Sequence, residues 1–243
     1  MMPIQTFKRY EKKFIITAEQ KQRLMSRLAP YMEYDAYCVG DKDYTVYNVY
    51  FDTAHNDVVR RSNQKPYYKE KLRLRSYTIN PQSDTKVFLE IKKKVGGIVN
   101  KRRIVISYAD AIQLLQNGIP PKLDGIQNQI LHEILYYIKI HPIETAMFLR
   151  YDRTALFCKN DHNLRITFDA NLKAHHTASL FNTPDDGAWI LDPDRRIMEV
   201  KVPGAFPIWL ATMLSEEKIY SGSFSKFGQN YQNQLQNLNC TAK

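Results

Sequence analysis

With 243 residues, 44% of them hydrophobic, the chain is long enough for one large domain or two small ones with a buried core. A net charge of +10 and a pI near 9.4 point to a polyanionic partner: nucleic acid, an anionic membrane surface or a phosphate-rich small molecule. Cys38, Cys158 and Cys240 fit neither a disulfide framework nor a zinc pattern, no run approaches the ~18 apolar residues of a membrane span, and MMPIQTFKRYEKKF lacks the apolar core of a signal peptide. The expectation is a soluble, cytoplasmic protein.

In chain order, Lys8–Ile16 alternates and reads as the first strand, with Arg9, Glu11 and Lys13 on one parity. Thr17 opens Thr-Ala-Glu-Gln, a capping box, and the helix behind it carries Leu24, Met25 and Leu28 and stops near Pro30. Thr45–Asp52 is aromatic and β-branched, hence a strand, and Thr53–Pro66 reads as a polar, basic loop. Three charged runs follow. Lys71, Arg73 and Arg75 alternate with Leu72 and Leu74; Glu90, Lys92 and Lys94 alternate with Leu89 and Ile91; Lys101 and Arg103 precede Ile104, Val105 and Ile106. Asn80-Pro81 and Gly96-Gly97 separate the runs, which predicts an antiparallel meander whose charged faces coincide.

Ser107-Tyr-Ala-Asp110 starts a helix that ends at Gly118, and Pro120-Pro121 is a break. Ile126, Ile130, Leu131, Ile134, Leu135 and Ile138 recur at helical spacing before Pro142. Ala146–Leu156, Asn163–Ala170 and Ile197–Val202 read as strands, with Arg150 and Asp152, Arg165 and Asp169, and Glu199 and Lys201 as their respective charged parities. A helix over Pro207–Tyr220 precedes Ser225-Lys226-Phe227 and a Gln/Asn-rich tail helix. About eight strands and four or five helices without βαβ alternation make an antiparallel α+β fold. A single domain over 1–243, with C-terminal helices from about 205, is preferred to a boundary at Pro120-Pro121, because the charged-face pattern continues on both sides.

The like-parity cations are Lys13, Lys71, Arg73, Arg75, Lys92, Lys101, Arg103, Arg150, Arg165 and Lys201. A flat sheet would merely solvate them; a sheet closed into a barrel would turn them into a lumen. Closure explains more, since these faces favour Arg and Lys over a mixed polar set and the opposite faces are strongly apolar. Such cations persist together only if a polyanion and carboxylates neutralise them. Glu11, Glu90 and Glu199 are the carboxylates on these faces, with Asp52 and Asp169 as further candidates, and a hard divalent ion held mainly by substrate phosphate suits them. The plainer reading of Glu90 and Glu199 is a cross-strand ion pair with a neighbouring Lys. His132 reads as structural and His175-His176 as loop residues; no P-loop is present.

In order, Arg9-x-Glu11-x-Lys13, Lys71-x-Arg73-x-Arg75, Leu89-Glu90-Ile91-Lys92, Lys101-Arg102-Arg103, Glu199-Val200-Lys201 and Ser225-Lys226-Phe227 resemble the VTC domain, the polyphosphate polymerase domain within the triphosphate tunnel metalloenzymes and CYTH-like proteins. The resemblance covers nearly the whole chain. It implies a closed eight-stranded antiparallel β-barrel with flanking helices, binding a triphosphate with Mn2+ or Mg2+. It implies that Lys13, Arg73, Arg75 and Lys92 are catalytic, and that Lys71, Lys101, Arg103, Arg150, Arg165, Lys201 and Lys226 bind substrate. Glu199 would be the main metal ligand, with Glu11 and Glu90 beside it. CYTH members open with Glu-x-Glu-x-Lys; Arg9 here replaces the first Glu, which favours a polymerase over a hydrolase or cyclase. The implied partners are a nucleoside triphosphate, with ATP the expected one, and polyphosphate rather than nucleic acid. Coupling to membrane translocation would require a membrane-protein partner. A metal-dependent triphosphatase and a non-catalytic polyanion-binding module are the alternatives.

Overall fold

A computed structural model describes residues 10–38, 43–96, 98–181 and 187–241. Its strands are β1 (Tyr10–Thr17), β2 (Met32–Tyr34), β3 (Tyr44–Thr53), β4 (Tyr68–Ser76), β5 (Lys86–Val95), β6 (Ile98–Ser107), β7 (Ile143–Cys158), β8 (Arg165–His176), β9 (Ala188–Trp189) and β10 (Arg195–Val202). Its helices are α1 (Ala18–Leu28), α2 (Asp57–Asn63), α3 (Tyr108–Asn117), α4 (Gly125–Ile140), α5 (Ile208–Glu216) and α6 (Lys226–Thr241). Among the described residues none of these helices is long and apolar enough to cross a membrane.

The strands follow the order β1-β10-β8-β7-β3-β4-β5-β6, with β2 beside β7 and β9 beside β8. This corrects the expected closed eight-stranded barrel: the fold is α+β and antiparallel, but the sheet has ten strands and its end strands, β1 and β6, are not paired to each other. The reason lies at the two edges. On β6, the Val105 N–H donates to Gln127 Oε1 of α4 at 3.0 Å. On β1, Lys13 O accepts from Gly222 N at 2.8 Å. Each edge strand is thus partly covered by another segment, which is how proteins commonly blunt an exposed edge. Parity alone cannot distinguish that outcome from closure.

The chain forms two compact units, each discontinuous in sequence. The first comprises 1–45, 151–172 and 191–225; the second comprises 46–150, 173–190 and 226–243, and Pro120 and Pro121 lie within it. In the first unit, Phe14 and Ile16 of β1, Ile166 and Phe168 of β8, and Met198 and Val200 of β10 form a core with Leu24 and Leu28 of α1 and Leu210 and Leu214 of α5. The capping box that starts α1 is present: Gln20 N donates to Thr17 Oγ1 and Thr17 N donates to Gln20 Oε1, each at 3.0 Å. In the second unit, Leu72, Leu74, Leu89, Ile91, Ile104 and Ile106 of the meander pack under Ala111 and Leu114 of α3 and Ile130, Leu131 and Ile134 of α4. Ser107 caps α3 by accepting from Asp110 N at 3.0 Å, and Gly118 ends it at φ 71°, a left-handed conformation that glycine adopts without steric cost.

The β5–β6 hairpin pairs Val95 with Ile98 across the expected glycine turn; Gly96 takes φ 54°, and Gly97 lies outside the described residues. The expected loop at Thr53–Pro66 contains α2 instead. Buried Asp52 holds it, accepting from Val58 N at 2.8 Å and Val59 N at 3.0 Å.

Candidate functional site

The meander of the second unit brings its expected cations onto one face, because residues directly opposite in an antiparallel pair share a side of the sheet. Lys71, Lys92 and Lys101 are cross-strand neighbours, and so are Arg73, Glu90 and Arg103 in the adjacent row. Arg75 follows on β4, facing Asn48 of β3 on one side and Phe88 of β5 on the other. The six expected cations therefore share this face with the carboxylate of Glu90, and Lys69 and Lys94 add a further cross-strand row to it.

Glu90 is fully buried and is the hub of the face. Arg73 Nε donates to its Oε2 at 2.7 Å, Lys101 Nζ donates to its Oε1 at 2.9 Å, and Arg75 Nη2 lies 3.7 Å from Oε2. Desolvation alone would raise this carboxyl, but Arg73, Arg75 and Lys101 outweigh it and hold Glu90 well below the usual carboxylate range. Lys101 is pushed down to about 7 by desolvation and by Arg73 and Arg75, against the opposing pull of Glu90. Its side chain is nonetheless 40% exposed.

Arg73 Nη1 also donates to Tyr50 OH at 3.2 Å, and Arg75 Nε donates to Asn48 Oδ1 at 3.2 Å. The guanidinium of Arg103 lies over the Phe88 ring, 5.0 Å from its centroid. Lys226 is the first residue of α6 and half-buried; beside it, Phe227 stacks on Tyr50. Arg150, on β7 of this unit, is half-buried.

The first unit holds a smaller, balanced cluster. Lys13 faces Glu199 across β1 and β10, and Glu11 faces Lys201. Lys13 Nζ lies 3.3 Å from Glu11 Oε1 and 3.6 Å from Glu199 Oε1, and donates to Phe224 O at 3.0 Å. Lys201 Nζ donates to Glu199 Oε2 at 3.2 Å. Arg165 of β8 sits opposite Lys201 and donates to Asp35 Oδ2 at 3.0 Å. Arg9, the residue that departs from the CYTH pattern, lies outside the described residues.

Sequence reasoning missed Arg153. It makes a two-bond fork to Asp169, Nε to Oδ1 at 2.7 Å and Nη2 to Oδ2 at 2.8 Å, with both side chains buried. Desolvation would lower this guanidinium, but Asp169 holds it well above its ordinary value. Asp169 and Asp52 are therefore engaged in the framework: one holds an arginine, the other the start of α2. The available signal was an Arg on the otherwise apolar parity Met147, Leu149, Tyr151, Ala155, which demands a buried acid.

For a metal, the carboxylates differ. Glu11 and Glu199 converge on one cation and are hard oxygen donors of the kind Mn2+ or Mg2+ takes. Two carboxylates leave most of the roughly six positions of such an ion to phosphate and water, so they fit a metal delivered with a nucleotide. Glu90 fits poorly, because its oxygens face three cations. Among the described residues no group of three or more His, Cys, Asp or Glu is placed to hold a metal.

The meander of the second unit thus has one helix-covered apolar face and one cation-rich face. Residues 8–234 match the family model of the VTC domain, and the chain belongs to that family. Among solved structures, it is similar to that of a candidate adenylate cyclase from Bacillus halodurans, with 13% identity, 90% of this chain and 95% of that one covered, and a TM-score of 0.53. A candidate adenylate cyclase from Vibrio parahaemolyticus gives 11% identity, 91% and 98% coverage, and a TM-score of 0.48. The first likeness shows a shared fold. No curated protein sequence matches the chain.

Proposed function

We propose that the protein is a polyphosphate polymerase: it transfers the γ-phosphoryl group of a nucleoside triphosphate, ATP in the first instance, to the terminal oxygen of a polyphosphate chain, releasing the nucleoside diphosphate. Family membership supports the reaction class. The carrying observation is the row Lys71–Lys92–Lys101. Like charges directly opposite on a sheet are destabilising, and a run of phosphates laid along the face would offset that repulsion.

In this reading Glu90 does no chemistry. It fixes Arg73, Arg75 and Lys101 so that little reorganisation is needed when negative charge arrives. Arg73 and Arg75 offer planar forks suited to paired phosphate oxygens, whereas Lys71 and Lys92 act as point charges. Phosphoryl transfer needs little covalent help from a protein, so positioning and charge stabilisation carry the rate. Lys13 and Lys201 keep Glu11 and Glu199 paired until a metal–phosphate ligand competes for them. The divalent ion, when bound, neutralises charge on the phosphoryl oxygens.

Incubation of the purified protein with ATP and Mn2+ tests the reading. ADP and acid-insoluble polymer should appear in step. Equal ADP and free phosphate without polymer would make it a triphosphatase. Absence of turnover with retained binding would make it a polyanion-capturing module.

A further inference from the structure

Phe227, in the Ser225-Lys226-Phe227 segment, sits beside the charged face. Its ring is 4% exposed and stacks on Tyr50, with centroids 5.0 Å apart and planes at 16°. The Tyr50 hydroxyl accepts from Arg73 Nη1 at 3.2 Å, and the Arg73 guanidinium carbon lies 5.9 Å from the Tyr50 ring centroid. On Phe227 itself rests the Lys71 ammonium, 5.4 Å from the ring centroid. One aromatic side chain at the start of α6 therefore reaches both Arg73, through Tyr50, and Lys71, directly.

We infer that Phe227 is a positioning residue: stacked on Tyr50, it orders the Arg73 guanidinium and the Lys71 ammonium for an oligophosphate ligand. This deepens the proposed function and rests on its phosphate-binding face.

Arg and Lys side chains are rich in rotamers, and restraint before binding spares the ligand the entropy of ordering them. Stacked aromatic pairs attract beyond their burial, which restrains the Tyr50 ring against Phe227. With Tyr50 fixed, Arg73 is gripped at two points: Glu90 Oε2 through Nε and Tyr50 OH through Nη1. A guanidinium held at both points has its plane fixed, which a fork-to-phosphate contact requires. Lys71 gains a ring beneath its charge, a cation–π contact that steers a flexible ammonium without neutralising it. Lys226, next in the chain, accompanies Phe227, so the start of α6 brings a charge and an organiser together.

Two measurements on the full chain separate this inference from the reading beneath it. The first uses no ligand: NMR of the arginine Nε–Hε groups, with Arg73 assigned through Arg73→Lys. In the wild type, and in Phe227→Tyr, which keeps an aromatic ring, the Arg73 signal should be sharp and slow to exchange with water. In Phe227→Leu and Tyr50→Phe it should broaden and exchange about tenfold faster, while the Arg153 signal, tied to Asp169, stays unchanged. An unaltered Arg73 signal in both variants overturns the inference, whatever the protein binds. The second measurement is calorimetric titration with tripolyphosphate. Phe227→Leu should weaken binding about tenfold, Phe227→Tyr should restore it, and Tyr50→Phe added to Phe227→Leu should cost little more, because both act through Arg73. Equal affinity in wild type and Phe227→Leu overturns the inference; loss of Arg73 order in the variants beside a wild type that binds no tripolyphosphate overturns the phosphate-face reading instead.

Discussion

Glu90→Gln is the perturbation whose size follows most directly from the geometry. Gln keeps the shape of the side chain and removes the one charge that Arg73, Arg75 and Lys101 share. Removing one partner from a buried ion pair costs about 3–5 kcal/mol, because the remaining charge stays buried. Glu90 itself is fully buried, but Arg73 and Lys101 keep side-chain exposures of 19% and 40%, so water can take up part of the loss. The lower end, about 3 kcal/mol, is therefore expected. For a chain of this size that is a fall of roughly 6–12 °C in Tm. Tripolyphosphate should offset much of it: at a hundredfold excess over Kd, a ligand bound only by the native state contributes about 2.7 kcal/mol. The sign with pH is fixed as well. Glu90 has a folded-state pKa below its unfolded value, so its contribution is fully present above the unfolded value and is lost as pH falls through the folded one. Wild-type stability should drop on acidification below about pH 4, and the Glu90→Gln curve should be flatter there. Differential scanning calorimetry between pH 3 and 7, with and without tripolyphosphate, reads all of this. An unchanged Tm with no ligand rescue would refute the hub assignment; a normal Tm with altered manganese dependence would make Glu90 a metal ligand after all.

Arg73→Ala should weaken tripolyphosphate binding by about 1.5–3 kcal/mol, the range for a charged hydrogen bond, while circular dichroism shows the fold retained. Glu199→Gln should shift the manganese dependence of turnover to much higher concentration and leave metal-free tripolyphosphate binding intact or tighter; superimposable titrations would mean that Glu199 only pairs with Lys13 and Lys201. Lys101 titrates near 7, so an arriving polyanion should draw a proton onto it at neutral pH. Tripolyphosphate titrations in buffers of different ionisation enthalpy should show greater proton uptake for wild type than for Lys101→Met at pH 7.5, and equal uptake would contradict the depressed value.

What could be read from the sequence was set by the range of the interactions involved. The capping box at Thr17 and Gln20 and the cap at Ser107 are contacts over three residues, so local chemistry spells them out. The meander register follows from alternation, and it brought Lys71, Arg73, Arg75, Glu90, Lys92, Lys101 and Arg103 to one face as expected. Other features depend on distant partners. The three residues of β2 are a strand because Met32 pairs with Cys158. Helix α2 depends on a carboxylate six residues before Val58. In β7, the charged pair Arg150 and Asp152 drew attention to one parity, while Arg153, hidden in an apolar run, pairs with Asp169. Closure failed for a related reason: parity reports which residues share a face and not what meets the end strands, where Gln127 and Gly222 each make a bond.

In the proposed function the β4–β6 face recognises a chain of phosphates rather than anions in general. Calorimetric titration of the purified protein with orthophosphate, pyrophosphate, tripolyphosphate and a longer polyphosphate, at constant ionic strength, tests it most directly. The row Lys71–Lys92–Lys101 and the neighbouring arginines predict affinity that climbs steeply up to at least tripolyphosphate, with a matched excess of sulfate unable to compete. Uniformly weak binding that ignores chain length and is abolished by sulfate would contradict the account.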